Sequence, residues 1–471
     1  MRDDLAVLSS QRSPIPLWRS VSHGGEELKG GKKGINTDSF SRKTVEIDGL
    51  WRREVSKVAA HEVHIRFGYV VVPMRTRQEV GAQALDMARH VACLRGWHPA
   101  LGRAEIAALL PMLETERLNG RRLVALTGDA PVDDLNAAVE VSSGCQAILC
   151  NAIVWDHQQN SSLDALIDSI VDHLGDHPRT GTVAVRAWRH EGRIKDVSPS
   201  RMAQRIGGRL HDQGYSIDLE APEHRFGVVI DASSNTIVCG WMLGYGEQSD
   251  GLAVRKAAER PFFKPVSLDP RLARLAVNLA SGPVKNGTTV DLMCGTGGFL
   301  IEAALSKRSA IGIDLDQMMV DGTKQNLEWA LAAEHQDGHK AMVLKADATS
   351  LGEVTAIEAH RVVGFVLDPP YGRNSQGSLE PLALLEQVLL SASSVAHPQA
   401  GLVLILPMHP MGEHPNEELQ DGIEVNLLHG EWSDVQRTLQ TSHWSIQGRW
   451  AEHVHASLSR LILHATVVPQ D

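Results

Sequence analysis

The sequence lacks the cysteine pattern of a disulfide framework or a metal centre. Five cysteines are scattered over 471 residues, with no Cys-x-x-Cys pair and no His-Cys set at metal-binding spacing. We therefore expect no bound metal and predict reduced thiols, as in the core of a cytoplasmic protein. The chain also lacks an apolar run of the ~20 residues that cross a bilayer, and its start lacks the apolar segment of a secretory signal. These absences predict a cytoplasmic protein without a membrane partner.

Two glycine-rich signatures of nucleotide binding are also missing. The sequence contains neither Gly-x-Gly-x-x-Gly nor Gly-Lys-Ser/Thr after a glycine loop, which argues against NAD and ATP. In their place stands Cys-Gly-Thr-Gly-Gly at 294–298, between a predicted buried strand at 287–291 and a predicted helix at 299–305. Glycines and free backbone N–H groups at a helix start let a ligand lie against the main chain. The sequence therefore predicts a cofactor pocket there, and a tight structural turn is the alternative.

Acidic residues follow the other predicted strands of this region. Asp314 ends a strand at 310–314, about 20 residues after the glycine turn, where an acid can bind ribose hydroxyls. Asp347 follows a third strand. A fourth strand, at 365–367, leads into an Asp-Pro-Pro-Tyr loop that begins at Asp368. We expect these acids to meet at the carboxyl edge of one sheet.

The loop formed by Asp368, Pro369, Pro370 and Tyr371 resembles that of class I S-adenosylmethionine-dependent methyltransferases acting on exocyclic amines of bases. Such an amine is a poor nucleophile because its lone pair is delocalised into the ring. A carboxylate and a backbone carbonyl that accept both amine hydrogens aim the lone pair at the methyl donor. Asp368 and the Pro369 carbonyl suit this role because the prolines fix φ, and Tyr371 can stack on an extracted base. An ordinary turn capped by aspartate is the alternative.

The chain before the glycine turn divides into several parts. The first part is rich in Ser, Gly, Lys and Arg without periodicity, so we predict disorder, and Met87 is a candidate start. Regular patterning follows, with one helix expected to begin near Pro99 and another at Pro199, with Ser198 as its N-cap. The predicted divisions are a disordered extension (1–86), an N-terminal domain (87–175), a second α/β region (176–245), a linker and leading helix (246–280) and a last domain (281–471).

One folded stretch is basic although the whole chain carries a net charge of −11. Residues 186–212 hold seven Arg or Lys against three acids, and a local patch of this kind can attract a polyanion. The region 87–245 resembles a ferredoxin-like domain followed by a THUMP domain, an RNA-binding module found beside methyltransferase domains. A solvated charged face is the alternative. The RNA contacts expected are Arg186, Arg189, Arg193, Lys195, Arg201, Arg205 and, in the later loop, Arg373.

Several linked motifs are similar to those of the archaeal and eukaryotic tRNA guanosine-10 N2-methyltransferases, over residues 92–467 in the same domain order. The resemblance implies an α/β fold in which a class I Rossmann-like methyltransferase domain follows a ferredoxin-like plus THUMP α/β RNA-binding region. It implies S-adenosylmethionine as cofactor and tRNA as substrate, with one or two methyl groups added to guanosine 10. Residues 374–377 and Met293 depart from the family pattern. Residues 374–377 lengthen the loop after Asp-Pro-Pro-Tyr, and we expect this change to affect how the loop contacts the base.

The resemblance also implies roles for individual residues. Asp291 and the glycine turn would line the methionine end of the cofactor, Asp314 the ribose hydroxyls and Asp347 the adenine amine. The catalytic chain is expected to be monomeric, with the need for a small activating subunit left open. The alternatives are an amino-directed methyltransferase for ribosomal RNA or another tRNA position, and a non-catalytic RNA-binding protein. The cofactor contacts expected are Asp291, Cys294, Gly295, Thr296, Gly297, Asp314, Asp347 and Asp368.

Overall fold

The computed structural model describes residues 89–160, 162–244, 255–264, 268–283, 287–333, 341–358, 360–370, 380–412 and 416–469. The predicted extension 1–86, the candidate start Met87 and the loop that contains Tyr371, Arg373 and residues 374–377 lie outside these ranges. All described residues belong to one compact unit of the chain.

The described part of residues 89–244 contains a mixed eight-stranded sheet and four helices. Helices α1 and α4 begin at the prolines predicted to open them, since a proline in the first turn loses no helical hydrogen bond. The elements are β1 (Arg89–Leu94), α1 (Pro99–Leu109), β2 (Glu114–Arg117), β3 (Leu123–Thr127), α2 (Val132–Val141), β4 (Cys145–Asp156), α3 (Leu163–Asp176), β5 (Thr182–Arg189), α4 (Pro199–Asp212), β6 (Ser216–Ile217), β7 (His224–Asp231) and β8 (Thr236–Gly244).

This first sheet is continuous across the boundary expected at residue 175. Its strand order is β2-β3-β1-β4-β8-β7-β5-β6. The central pair joins β4, from the region before the boundary, to β8, from the region after it, with Cys150 opposite Trp241. One apolar cluster also contains residues from both sides, such as Leu126 and Phe226. The two predicted α/β regions therefore share a sheet and a core.

The second half of the chain forms a seven-stranded sheet of the Rossmann type. Its strand order is β11-β10-β9-β12-β13-β15-β14. The elements are α5 (Pro270–Ser281), β9 (Thr288–Asp291), α6 (Gly298–Leu305), β10 (Ser309–Asp314), α7 (Gln317–Ala333), β11 (Ala341–Lys345), α8 (Thr355–Glu358), β12 (Val362–Leu367), α9 (Pro381–Val395), β13 (Gly401–Met408), α10 (Trp432–Thr441), β14 (Trp444–His455) and β15 (Leu458–Val467), with 3-10 turns at Ala257–Glu259 and Ala348–Glu353.

The order of the second sheet reverses between β9 and β12. Strands β9 to β13 pair in parallel, and the chain adds β10 and β11 on one side of β9 before it adds β12 on the other. Ligands of open α/β sheets bind at the carboxyl ends of the strands that flank such a reversal. The fold therefore places a binding site where β9 and β12 end.

A buried carboxylate joins the two halves. Glu105 of α1 accepts hydrogen bonds from the Ser143 and Gly144 N–H groups, at 3.0 and 2.8 Å, and from the Ser142 hydroxyl at 2.5 Å. The Asn278 side-chain amide of α5 donates a fourth, at 2.7 Å. Both Glu105 oxygens thus have two donors, and the leading helix of the second half is fixed to the first sheet.

Several sequence predictions concern residues that the structure buries. Trp188 and Trp241 are buried in the first half. All five cysteines are buried and unbridged. Across the part of the chain that is described, no helix is both long and apolar enough to span a bilayer.

Candidate functional site

Three of the predicted acids meet at the reversal of the second sheet. Asp291 is the last residue of β9, Asp314 is the last of β10, and Asp368 directly follows β12. The Leu292 N–H donates to the Val366 carbonyl oxygen at 3.1 Å, so the ends of β9 and β12 lie side by side. The charges of Asp314 and Asp368 both act on Asp291. A ligand at this edge would meet all three carboxylates.

The glycine turn after β9 leaves open space over its main chain. Gly295 and Gly297 have φ angles of +51° and +80°, in the left-handed region that favours glycine. A Cβ on Gly295 would meet nothing closer than the Met293 carbonyl oxygen at 4.0 Å, whereas one on Gly297 would lie 2.6 Å from a methyl carbon of Thr323. Gly297 is thus required for packing, and Gly295 faces open space that a ligand can fill.

Asp314 holds the turn as well as facing the site. Its two carboxylate oxygens accept from the Gly295 and Asp316 N–H groups, each at 2.9 Å. A carboxylate has about four acceptor positions, so capacity remains for two ribose hydroxyls. The side chain is half-buried, which keeps it within reach of a ligand.

Asp291 is the least satisfied acid at this edge. The residue is 1% exposed, and the Met293 backbone N–H, which lowers the pKa of the carboxyl, does not reach either carboxylate oxygen at full hydrogen-bond geometry. Burial raises the pKa of Asp291 well above its ordinary value; the Met293 N–H opposes this rise, and the charges of Asp314 and Asp368 add to it. A buried carboxylate with too few donors is costly, and a cationic ligand group such as an α-ammonium would supply the missing donors. This fits the methionine end of S-adenosylmethionine.

Two predicted cofactor residues have structural roles that the sequence did not show. The Cys294 side chain belongs to the apolar core, and burial raises the pKa of its thiol. Its backbone N–H donates to the Ile313 carbonyl oxygen and its carbonyl oxygen accepts from the Gly297 N–H, so Cys294 shapes the turn. Asp347 is exposed and caps the 3-10 turn after β11, accepting from the Thr349 N–H and hydroxyl at 2.9 and 2.8 Å. The Ala346 N–H donates to the Asp314 carbonyl oxygen, which keeps Asp347 beside that strand end.

The predicted catalytic aspartate lies beside an ion pair that sequence reasoning missed. Burial raises the pKa of Asp368 to about 6, with Arg460 lowering it and Glu452 raising it. Arg460 Nη1 lies 3.1 Å from Glu452 Oε2, and the two residues face each other across β14 and β15. Pro369 is half-buried and Pro370 exposed. A carboxylate acceptor is therefore held at the edge with a cation and an anion nearby.

Helix α7 braces the glycine turn from behind. The buried Asn326 amide nitrogen donates to the Phe262 and Thr296 carbonyl oxygens at 2.8 and 2.9 Å, and its oxygen accepts from the Phe262 N–H at 2.8 Å. The Thr323 hydroxyl donates to the Gly295 carbonyl oxygen at 2.7 Å. Neither residue was predicted; the signal that identifies them in the sequence is two polar residues three positions apart on an otherwise apolar helix face.

The predicted RNA contacts separate into two groups. Arg186 and Arg189 donate to the Leu219 and Val197 carbonyl oxygens, at 2.7 and 3.5 Å, and Arg205 pairs with Asp164. These three guanidinium groups already stabilise the first half. The remaining predicted contacts among the described residues are exposed and are Arg193, Lys195 and Arg201.

Comparisons with known proteins agree with this site. A family model described as an RMKL-like methyltransferase domain matches residues 257–419, which include the glycine turn and the Asp-Pro-Pro loop. The tRNA (guanine(10)-N2)-dimethyltransferase of Pyrococcus abyssi is 31% identical over 261 residues, which cover 54% of this chain and 65% of that protein. The chain thus spans slightly less than two thirds of this relative.

A second relative is matched over more of its length. The tRNA (guanine(10)-N2)-dimethyltransferase of Methanocaldococcus jannaschii is 30% identical over 315 residues, which cover 61% of this chain and 84% of that protein. Among solved structures, TrmN from Thermus thermophilus aligns with 80% of this chain and 100% of its own, at 17% identity and a TM-score of 0.39.

Proposed function

The chain belongs to the family of tRNA (guanine(10)-N2)-dimethyltransferases, and we propose that it transfers two methyl groups from S-adenosylmethionine to the exocyclic N2 amine of guanosine 10 in tRNA. The observation that carries this proposal is the meeting of Asp291, Asp314 and Asp368 where β9, β10 and β12 end. Two of these acids suit the donor, and the third is followed by the Pro-Pro loop that suits the acceptor amine.

The residues at the sheet edge fit the cofactor. Bound S-adenosylmethionine supplies a methyl group made electrophilic by a sulfonium. Asp291, whose oxygens have no well-formed hydrogen bond to the described residues, would accept from the α-ammonium, and Gly295 leaves room for the chain of the amino acid. Asp314 would accept from the ribose hydroxyls with the lone pairs that the turn does not use. Asp347 would accept from the adenine amine beside it.

The proposed task of Asp368 is to orient the target amine. Its carboxylate and the Pro369 carbonyl would each accept one amine hydrogen, which leaves the nitrogen lone pair directed at the methyl group. With a pKa of about 6, Asp368 is ionised at neutral pH and can accept. Tyr371 would stack on the extracted guanine. No general base is needed, because the methylated amine can lose its proton afterwards.

The first half of the chain is the proposed tRNA-binding part. We assign 87–175 to a ferredoxin-like region and 176–245 to a THUMP region, joined in one sheet. The exposed cations Arg193, Lys195 and Arg201 would contact phosphates. We further propose a cytoplasmic, monomeric catalytic chain that can act with a small activating subunit.

The proposed function is tested by labelled methyl transfer. Unmodified tRNA transcript is incubated with labelled S-adenosylmethionine and digested to nucleosides, with a parallel transcript in which adenosine replaces guanosine 10. We expect labelled N2,N2-dimethylguanosine from the first transcript and background label from the second. Equal label in both transcripts would assign another position. Binding of cofactor and tRNA without transfer would instead indicate a non-catalytic RNA-binding protein, and Asp368→Ala serves as the inactive control.

A further inference from the structure

Arg260 carries a buried guanidinium without enough acceptors. The residue is 4% exposed, and neither Nη1 nor Nη2 has a hydrogen-bond partner among the described residues. Its Nε donates to the Arg255 carbonyl oxygen at 3.2 Å. Four N–H donors of this charged side chain therefore have no acceptor. Burying charged donors without hydrogen bonds costs free energy. A ligand anion would remove that cost.

The guanidinium is aimed at the start of helix α6. Arg260 Nη1 lies 3.6 Å from the position that a Cβ would occupy on Gly298, the first residue of the helix. The first helical hydrogen bond runs from the Ile301 N–H to the Gly297 carbonyl oxygen, so the preceding N–H groups of α6 have no partner inside the helix. Amide donors and a guanidinium therefore converge where the helix dipole also favours negative charge.

The local charge balance is also positive. Glu302, fully buried in α6, is engaged by Arg255 at 2.9 and 3.2 Å and by Arg274 at 2.9 Å. Asp269, which also acts on Arg260, is held by Arg271 at 3.1 and 3.0 Å. Three buried guanidinium groups thus share one buried carboxylate, so this pocket favours an additional anion.

The segment that carries Arg260 is fixed in place. Phe262, two residues later, exchanges backbone hydrogen bonds with the Asn326 side chain, and its ring occupies the space beside Gly322 of α7. Asn326 also holds the Thr296 carbonyl of the glycine turn. The same side chain therefore sets the position of the turn and of the segment before it, which preorganises the anion site.

We propose that Arg260, together with the first amides of α6, binds the α-carboxylate of the methionine part of S-adenosylmethionine. The proposal rests on the proposed function, which places the methionine end over the glycine turn. Each charge of the ligand's amino acid part then has its own partner. The Asp291 carboxylate accepts from the ligand's ammonium group, and the Arg260 guanidinium donates to the ligand's carboxylate.

The test compares two ligands that differ by one carboxylate. Calorimetric titration measures the affinity of the intact protein for S-adenosylhomocysteine and for its decarboxylated analogue, 5′-(3-aminopropylthio)-5′-deoxyadenosine. We expect the wild type to prefer S-adenosylhomocysteine by about 10- to 100-fold, the contribution of charge-assisted hydrogen bonds. Arg260→Met should abolish the preference and leave the affinity for the analogue within about threefold. Arg260→Lys, which keeps the positive charge but loses the two parallel N–H donors of the guanidinium, should keep part of the preference.

Arg308→Met is the matched control. Arg308 is equally buried, and its guanidinium donates to the Gly282 and Pro283 carbonyl oxygens and to Asn278. This variant should lose stability and keep the ligand preference. A wild type without preference, or an Arg260→Met protein that keeps it, overturns the proposal, and the wild-type comparison applies even if that variant does not fold. Ligand preference without tRNA methylation would contradict only the proposed function, and binding of neither ligand would contradict both.

Discussion

Glu105 and Asp291 are two buried carboxylates in opposite situations. Glu105 is 0% exposed and accepts four hydrogen bonds at the junction of the two halves. Asp291 is 1% exposed, and neither of its oxygens has a donor at full hydrogen-bond geometry among the described residues, although the Met293 N–H acts on the carboxyl. Burial alone therefore does not separate a structural acid from a ligand-binding one; the supply of donors does.

The difference assigns stability to one region and binding to the other. At the junction, every acceptor position of Glu105 has a protein donor, so no ligand is needed to stabilise its charge. Near the sheet edge, the Asp291 carboxylate and the two Nη groups of Arg260 are buried without a well-formed hydrogen bond to any described residue. Unmade hydrogen bonds of charged groups are tolerated where a ligand completes them, and such groups mark functional sites.

The largest effect is expected at Asp368, where the sheet edge meets the target amine. Asp368→Asn replaces one acceptor by donors and should lower single-turnover methyl transfer by about 10³-fold, as loss of a transition-state-orienting group does. Affinity for S-adenosylhomocysteine, measured by calorimetry, should change by less than about threefold, because a direct cofactor contact would contribute more. A parallel loss of cofactor affinity would instead place Asp368 in the cofactor site. It would contradict the assignment of Asp368 to the target amine.

Glu105→Gln tests the saturated member of the comparison. The amide nitrogen of glutamine cannot accept, so two of the four donors would lose their partner, with an expected loss of about 3 kcal/mol in the free energy of unfolding. Chemical denaturation followed by tryptophan fluorescence measures it. Asp168→Asn, which removes the exposed pair with Arg209, is the control and should change stability by less than about 1 kcal/mol. A small effect of Glu105→Gln would mean that the junction is not held by this carboxylate.

Asp291→Asn should have the opposite sign for stability. Because the folded protein raises the pKa of Asp291, the unfolded chain releases this proton first, so the fold loses stability as the pH rises above about 4. Asparagine removes that penalty, and the melting temperature of the ligand-free protein at neutral pH should rise. Affinity for S-adenosylhomocysteine should fall about 10- to 100-fold, as loss of a charged hydrogen-bond partner predicts. A variant that melts lower than the wild type would contradict the view that Asp291 is unsatisfied.

The pH profile tests the charge of Asp368. Its pKa of about 6 lies above the usual value, so the acceptor form is present above pH 6 and is lost as the pH falls. The single-turnover rate should be level above that pH and about tenfold lower at pH 5. In Glu452→Gln, the anion that raises this pKa is gone and Arg460 is released to act on Asp368, so the midpoint should move to lower pH. An unchanged midpoint would show that another group titrates.

Local patterns predicted much of the fold and part of the site. Pro99 and Pro199 open the helices expected from them, because proline is favoured in the first helical turn. The glycine turn and the strand-end acids lie at one edge, because parallel strands bring their carboxyl ends together. Arg260, Asn326 and Glu105 were not predicted, since their importance comes from partners distant in sequence. The thiol of Cys294 likewise turned into the core, an outcome set by packing against the sheet.

The smallest effect is expected on the first half, where the comparison becomes one between two cations of helix α4. Arg201 is exposed, whereas Arg209 lies 2.6 Å from Asp168. Arg201→Gln should weaken tRNA binding about two- to fivefold and lower the slope of log affinity against log salt by about 1, because one phosphate contact is lost. Arg209→Gln should change both less, since that cation must first leave its carboxylate. Equal effects would mean that the exposed Arg209–Asp168 pair separates when RNA binds. The presence of a protein partner would then distinguish structural from ligand-binding charges only in the protein interior.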